Sequence, residues 1–159
     1  MANQSRLTIQ VIFNRLPTLQ KNVKRLALVG IDKSVAVMET QGKSNSPYRT
    51  GALRASVYRV TPLHDDYSTA VSRMLRLNPR AVPVPHPAVP EDGAYLGAAA
   101  DYGLYVHEGH RTRNGGSRAG NPFLMEAILS NQNLLVQNVR QAIEAVASGS
   151  TVAQVGSKS

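Results

Sequence analysis

The residues best suited to chemistry stand together in one short stretch, Tyr105-Val106-His107-Glu108-Gly109-His110. Two histidines around a glutamate are the groups that hold zinc or move protons. A helical zinc site of the H-E-x-x-H type needs its imidazoles at i and i+4, so that both share a face with the glutamate beside them as base. Here the histidines are three apart, and Gly109 lies between Glu108 and His110. Glycine is a poor helix interior and a common exit from a helix. Arg111, Arg113 and Arg118 follow closely, and their charge opposes a bound cation. The spacing predicts a short helical turn ended by glycine, with no metal on His107, Glu108 or His110.

Other reactive groupings are weaker. Asp65-Asp66 supplies carboxylates for a hard cation, but acidic pairs in turns usually serve local hydrogen bonds. His64 and His86 stand alone and read as surface histidines. Residues 114–120, NGGSRAG, have the glycines of a phosphate loop without its preceding strand or its following Lys-Ser/Thr. The chain has no cysteine and no nucleophile elbow. No catalytic residue and no cofactor is assigned, and the chain is read as not an enzyme.

The elements that must position these residues come from a chain of 159 residues, enough for one domain with a real core. Aromatics make up only 5%, with no Trp and two Phe, Phe13 and Phe123, so aliphatics and tyrosines must do most of the packing. The lack of cysteine fits a reducing cytosol. No apolar run approaches the ~20 residues that cross a bilayer, and residues 1–10 lack the apolar segment of a signal peptide. The net charge of +8 is uneven: residues 1–60 hold ten Lys or Arg against Asp32 and Glu39, while the remainder is balanced. Such an excess suits an acidic partner, either nucleic acid or an acidic protein surface, or simply a solvated helix face.

Ile12, Leu16, Leu19, Val23, Leu26, Ile31, Val35 and Met38 recur at helical spacing, which predicts a long amphipathic helix from Leu7 to about Met38. Pro17 and Gly30 are its expected weak points, and residues 42–47, GKSNSP, should end it. Gly51 marks a backbone-demanding turn. Residues 52–56 suit one helical turn, and 56–61, SVYRVT, alternate as a strand. Residues 64–66 read as a turn and 67–72, YSTAVS, as the returning strand of a hairpin. Prolines 79, 83, 85, 87 and 90 make 74–93 an expected extended arm, mobile in the isolated subunit and reaching a neighbour through Pro83, Pro85 and Pro87. Residues 95–100 suit a short strand, 101–108 a strand end running into a helical turn, and 111–120 a flexible basic loop. Asn121 as N-cap and Pro122 at the first helical position then open a helix whose face is Leu124, Ile128, Leu135, Val139, Ile143 and Val146. Residues 148–159 read as a disordered tail. The expectation is a single α+β domain over 1–147. It has a long N-terminal helix, a small antiparallel sheet with a proline-rich arm, and a C-terminal helix packed on the sheet.

Three pieces of this chain resemble the small tail-completion and head–tail joining proteins of long-tailed bacteriophages. Thr50, Gly51, Leu53, Arg54 and Ser56 match the family's T-G-x-L-R-x-S before a strand. Tyr102, Tyr105, Val106, Glu108 and Gly109 match its Y-A-x-Y-V and acidic-Gly turn, and Pro122, Phe123, Leu124 and Ala127 match the P-F-L-x-x-A that opens the last helix. Gly103 and His110 stand where the family commonly has Ala and Thr, and the 74–93 arm is long. The resemblance implies a virion protein of the head–tail neck, made in the host cytoplasm and without catalytic activity. It implies a homo-oligomeric ring, sixfold or twelvefold, between head-connector and tail-tube or terminator proteins, with packaged DNA in its channel as a further partner and no membrane. Candidate contact residues are Arg49, Arg54, Arg111, Arg113 and Arg118 with the three arm prolines. The alternative is a basic nucleic-acid-binding protein, although no recognition-helix pair, zinc ligands or aromatic RNA-binding strands are visible.

Overall fold

The structure, a computed structural model, describes residues 2–49, 51–88 and 91–147, with side chains of the first helix from Gln20 onward. That helix, α1 (Ala2–Asn45), runs unbroken through Pro17 and Gly30. Its end falls later than residue 42, where Ser46 N–H donates to Gly42 C=O at 3.0 Å and Ser46 Oγ to Lys43 C=O at 2.8 Å. Leu26, Val35 and Met38 of the expected stripe are buried; the side chains of Ile12, Leu16 and Leu19 lie outside the described residues. Gly30 is a crossing point and not a weak one. A Cβ there would stand 2.8 Å from the Asn138 carbonyl oxygen of the last helix, α5 (Phe123–Ala147).

The two helices run antiparallel, with Gly42 beside Leu124 and Ala127, Gln41 hydrogen-bonded to Asn131, and Ser34 to Asn138 at 2.9 Å. The face that α5 turns to α1 is therefore built on Ala127, Asn131, Asn138 and Ala142, small or amide side chains that let the backbones approach. Ile128 and Ile143, expected inside, are 38% and 43% exposed. Only the first turn of α5 reaches the core beside the sheet, through Phe123; along its length its partner is α1.

After α1 come α2 (Ala52–Ser56) and β1 (Val57–Thr61). The central strand β1 is flanked by β2 (His64–Asp65) and β3 (Tyr95–Ala98), both antiparallel, with Val60 opposite Asp65 and Tyr58 opposite Gly97. Val57, Tyr58, Val60 and Thr61 are buried, and α1 covers the strand through a charged clamp. Arg59 Nη1 donates to Glu39 Oε2 at 2.7 Å, Arg59 Nε lies 3.5 Å from Asp32 Oδ1, and Lys43 pairs with Glu39 one turn along. Thr61 Oγ1 adds a hydrogen bond to Asp32 at 2.9 Å.

Two expectations are corrected here. Residues 67–72 are not a strand but the start of α3 (Tyr67–Leu77), launched by the Tyr67 N–H bond to Asp65 Oδ1 at 2.9 Å. Ala70 and Met74, one turn apart, are fully buried, with Val71 and Leu75 beside them. That 3.6-residue period becomes legible only over the whole of 67–77 and overrides the six-residue alternation. The extended segment consequently begins at Asn78, and it is not a free arm. Val84 N–H donates to Ala99 C=O at 2.8 Å and Asp101 N–H to Val82 C=O at 3.2 Å, around a Pro83–Ala100 bridge. Proline, lacking a donor, is tolerated at such an edge. Ala81 is buried, and the His86 ring rests 5.1 Å from that of Tyr67. Pro85 and Pro87 are exposed, Pro83 half-buried, and Pro90 lies outside the described residues.

Candidate functional site

The three motif segments lie far apart in sequence and meet in one core cluster. Phe123, the first residue of α5, is fully buried in a cluster with Ala52 and Leu53 of α2, Val57, Met74 and Ala100. Tyr102 and Val106 pack against the same cluster. Burying a phenylalanine is worth about 2–3 kcal/mol, so this residue fastens the end of α5 to the sheet. Gly51 and Gly109 both take left-handed backbone, φ 76° and 85°. At Gly109 a side chain would also collide with backbone, its Cβ falling 2.6 Å from Arg118 O.

The stretch that held both histidines becomes α4 (Gly103–Glu108) followed by β4 (Gly109–Arg111). The turn at Gly109 sends the two imidazoles to different partners. His107 Nε2 accepts the Met125 N–H at 3.4 Å and its ring meets Phe123 edge-on, so His107 caps α5 from outside the helix. Asn121, expected in that role, instead joins the backbone: its N–H donates to Val106 C=O and its C=O accepts Phe123 N–H, each at 2.8 Å. Pro122 stands just before the helix and not at its first position, and its C=O accepts the Glu126 N–H at 2.9 Å, which opens the helical bonding. His110 Nδ1 lies 3.3 Å from Tyr105 O, and Glu108 is exposed. Among the described residues, no group of three His, Cys, Asp or Glu is arranged to hold a metal ion.

Residues 111–120 are not a loose loop. β4 pairs antiparallel with β5 (Ser117–Ala119), His110 opposite Arg118 and Arg111 opposite Ser117, and Thr112 N–H closes the turn onto Gly116 C=O at 2.7 Å. The ribbon has no core of its own, since nearly every residue in it is exposed. It presents Arg111, Arg113 and Arg118 to solvent. On the side of α4 where the ribbon roots, Arg118 and His110 line a cleft of about 650 Å³ with Arg49, Tyr102 and Asn78. Burial raises the Tyr102 hydroxyl above the ordinary tyrosine range, against a lowering hydrogen bond from Asn78, and the nearby Asp101 charge raises it further. Arg54 serves the fold: its Nη2 donates to Ser44 O and Ser46 O at the end of α1, both at 3.3 Å, and its guanidinium covers the Tyr48 ring.

The other side of α4 has the opposite character. A groove of about 490 Å³ runs between β3, α4 and the first turns of α5, lined by Leu104, Met125 and Ile128 with Asp101 and Glu108 among its walls. Leu104 is 59% exposed and Met125 49%. Of these, Leu104, Asp101 and Met125 were not singled out from sequence, Glu108 was weighed there only as a metal ligand and as part of the acidic-Gly turn, and Ile128 only as part of the inner face of α5. The signal available was a second apolar set on α5, Met125, Ile128 and Leu129 at i, i+3 and i+4, which does not face α1. Elsewhere Tyr58, Tyr67, Tyr95 and His86 form an aromatic cluster over β1, in which burial and the neighbouring Tyr95 hold the Tyr58 hydroxyl far above its ordinary range. No protein-family model, curated protein or solved structure matches this chain.

Proposed function

We propose that this chain is a structural protein of the head–tail neck of a long-tailed bacteriophage, assembled as a homo-oligomeric ring in the virion. The observation that carries this reading is the meeting of residues 51–56, 102–109 and 122–127 around Phe123. Short motifs matched by accident have no reason to share one core, whereas the pieces of a single ancestral pattern do. Two further features support the reading. The surface keeps large apolar side chains uncovered at Leu104, Tyr105, Met125, Leu129 and Val136, the last 67% exposed, as a subunit that buries area on assembly would. Among the described residues, no helix is long and apolar enough to cross a membrane.

Its partners are further copies of itself and the head-connector and tail-tube or terminator proteins on either side. The exposed arginines of the β4–β5 ribbon favour a second reading, a basic nucleic-acid-binding protein, because guanidinium suits phosphate as well as carboxylate. Removing the gene and inspecting the particles separates the two. The neck reading expects filled heads and free tails that fail to join, and normal virions would overturn it. Binding of the isolated monomer to free DNA, weakening steeply with salt, would favour the second reading.

A further inference from the structure

Helix α4 separates two surfaces of opposite polarity, and neither is covered among the described residues. On one side lies the apolar groove of β3, α4 and α5, with Asp101 and Glu108 in its walls. On the other stands the β4–β5 ribbon with Arg111, Arg113 and Arg118. Among the described residues, none of these five charges makes an ion pair within the chain. From this geometry we infer that the ribbon of one subunit docks into the acidic apolar groove of the next copy, giving a head-to-tail contact. The inference rests on the ring reading above and names the surfaces that would build the ring.

Three independent features point to this occupant. The first is charge complementarity: two carboxylates face three guanidiniums, and the aliphatic stems of arginine can lie over Leu104, Met125 and Ile128 while their heads reach the acids. The second is unfinished backbone. β3 is the terminal strand of its sheet, and among the described residues the 82–84 segment pairs alongside the chain beyond Ala98 while nothing pairs with the outer edge of Tyr95–Ala98, which lines the groove. Both strands of the ribbon also have open outer edges, and strand edges pair readily with one another. The third is stability. A two-stranded ribbon of three-residue strands is marginal in water unless something covers it, and the body of its own subunit leaves this one exposed.

The two surfaces differ within one subunit, so the contact is heterologous. An isologous dimer would use one patch twice, whereas a groove-to-ribbon contact repeats from copy to copy and makes a ring when the rotation between neighbours divides a full turn, as the ring reading above requires. Gly109 sets the direction in which the ribbon leaves α4, and its left-handed backbone is what lets the chain turn there.

The test uses the full chain and four proteins: wild type, the groove variant Asp101→Arg/Glu108→Arg, the ribbon variant Arg111→Glu/Arg113→Glu/Arg118→Glu, and a swap variant carrying all five changes. Assembly is followed by sedimentation across a concentration series, and folding by thermal melting. Wild type should oligomerise, and each single-face variant should melt like wild type yet need about a hundredfold higher concentration to assemble. The swap variant should assemble again, and so should an equimolar mixture of the two single-face variants. Single-face variants that assemble like wild type would overturn the contact and leave the ring standing. A swap variant that stays monomeric while melting like wild type would also overturn it. Wild type that remains monomeric at its highest soluble concentration would overturn both the contact and the ring. A ribbon variant that still assembles but no longer binds duplex DNA would overturn the contact in favour of nucleic acid as the partner.

Discussion

Arg59 and the arginines of the β4–β5 ribbon place the same guanidinium in opposite surroundings. Arg59 is enclosed between α1 and β1, its side chain 15% exposed, and it faces Glu39, Asp32 and Asp66 at 2.7, 3.5 and 3.9 Å. Arg111, Arg113 and Arg118 stand in water with no anionic partner among the described residues. A buried ion pair fixes register and is costly to break, whereas exposed charges contribute little to folding. The first arginine therefore belongs to the fold and the other three are free to serve a partner. Composition cannot separate them. Seven of the ten basic residues in 1–60 fall within α1, and Arg54 and Arg59 in the same stretch are also engaged by the fold. The ribbon arginines lie in the half of the chain whose charge is balanced.

The change expected to separate the two regions most is Arg59→Ala. It leaves Glu39, whose side chain is only 5% exposed, facing Lys43 alone. Breaking a buried pair in this way should lower unfolding free energy by about 3 kcal/mol, read as a shift of the urea midpoint. A midpoint within error of wild type would mean that the clamp is solvated and that the contrast with the ribbon is false.

Glycine supplies a second comparison. Gly30→Val drives a side chain into the Asn138 carbonyl and must push α1 and α5 apart along their shared length, which should cost about 2 kcal/mol or more. Gly109→Val meets an even closer backbone, at 2.6 Å, on top of its positive φ. The loss there is bounded by the stability of the ribbon itself, which can peel away and relieve the clash. Gly109→Val should therefore shift the melting temperature less than Gly30→Val, while abolishing hydrogen-exchange protection at residues 110–112 and impairing assembly. Equal shifts in melting temperature would show the ribbon to be part of the cooperative core.

His107→Ala should fall below both glycine changes. It removes the acceptor for the Met125 N–H and an edge contact with Phe123, and losing a side-chain helix cap costs about 1 kcal/mol. Asparagine at 107 is too short to span the same gap, so it should not rescue; unchanged stability in His107→Ala would remove the capping role.

The parts of the fold that were legible in the sequence are those whose pattern runs long. The stripe through Leu26, Val35 and Met38 repeats often enough to name its element. Short windows misled: six residues beginning at Tyr67 alternate like a strand, and only Met74 and Leu75 further on disclose the helix. The inner face of α5 was obscured for a different reason. Its contact with α1 is built on Asn131, Asn138 and two alanines, so the largest apolar residues of the helix do not mark its buried side. The prolines signalled extended backbone, but not that Val82 and Val84 would bond to the chain's own Asp101 and Ala99. The groove was invisible for a similar reason, since its lining comes from β3, α4 and α5, brought together only by tertiary structure.

The smallest expected effect on folding is the most informative about what the ribbon is for. Arg111→Ser/Arg113→Ser/Arg118→Ser removes three charges from positions that are exposed and, among the described residues, unpaired. Such charges contribute little to stability, so the urea midpoint should move by no more than about 0.5 kcal/mol equivalent. Local relief of repulsion among three like charges on one short ribbon could even raise it slightly. Assembly should respond in the opposite way, because a ring repeats the cluster around its axis and each lost charge is lost at every interface. The expected phenotype is a normally folded subunit whose heads and tails join poorly or whose filled heads lose DNA, counted as infectious particles per filled head. A large loss of stability would place these arginines with Arg59 as structural residues. A normal yield of infectious particles would mean that the exposed charges serve neither neighbouring subunits nor DNA.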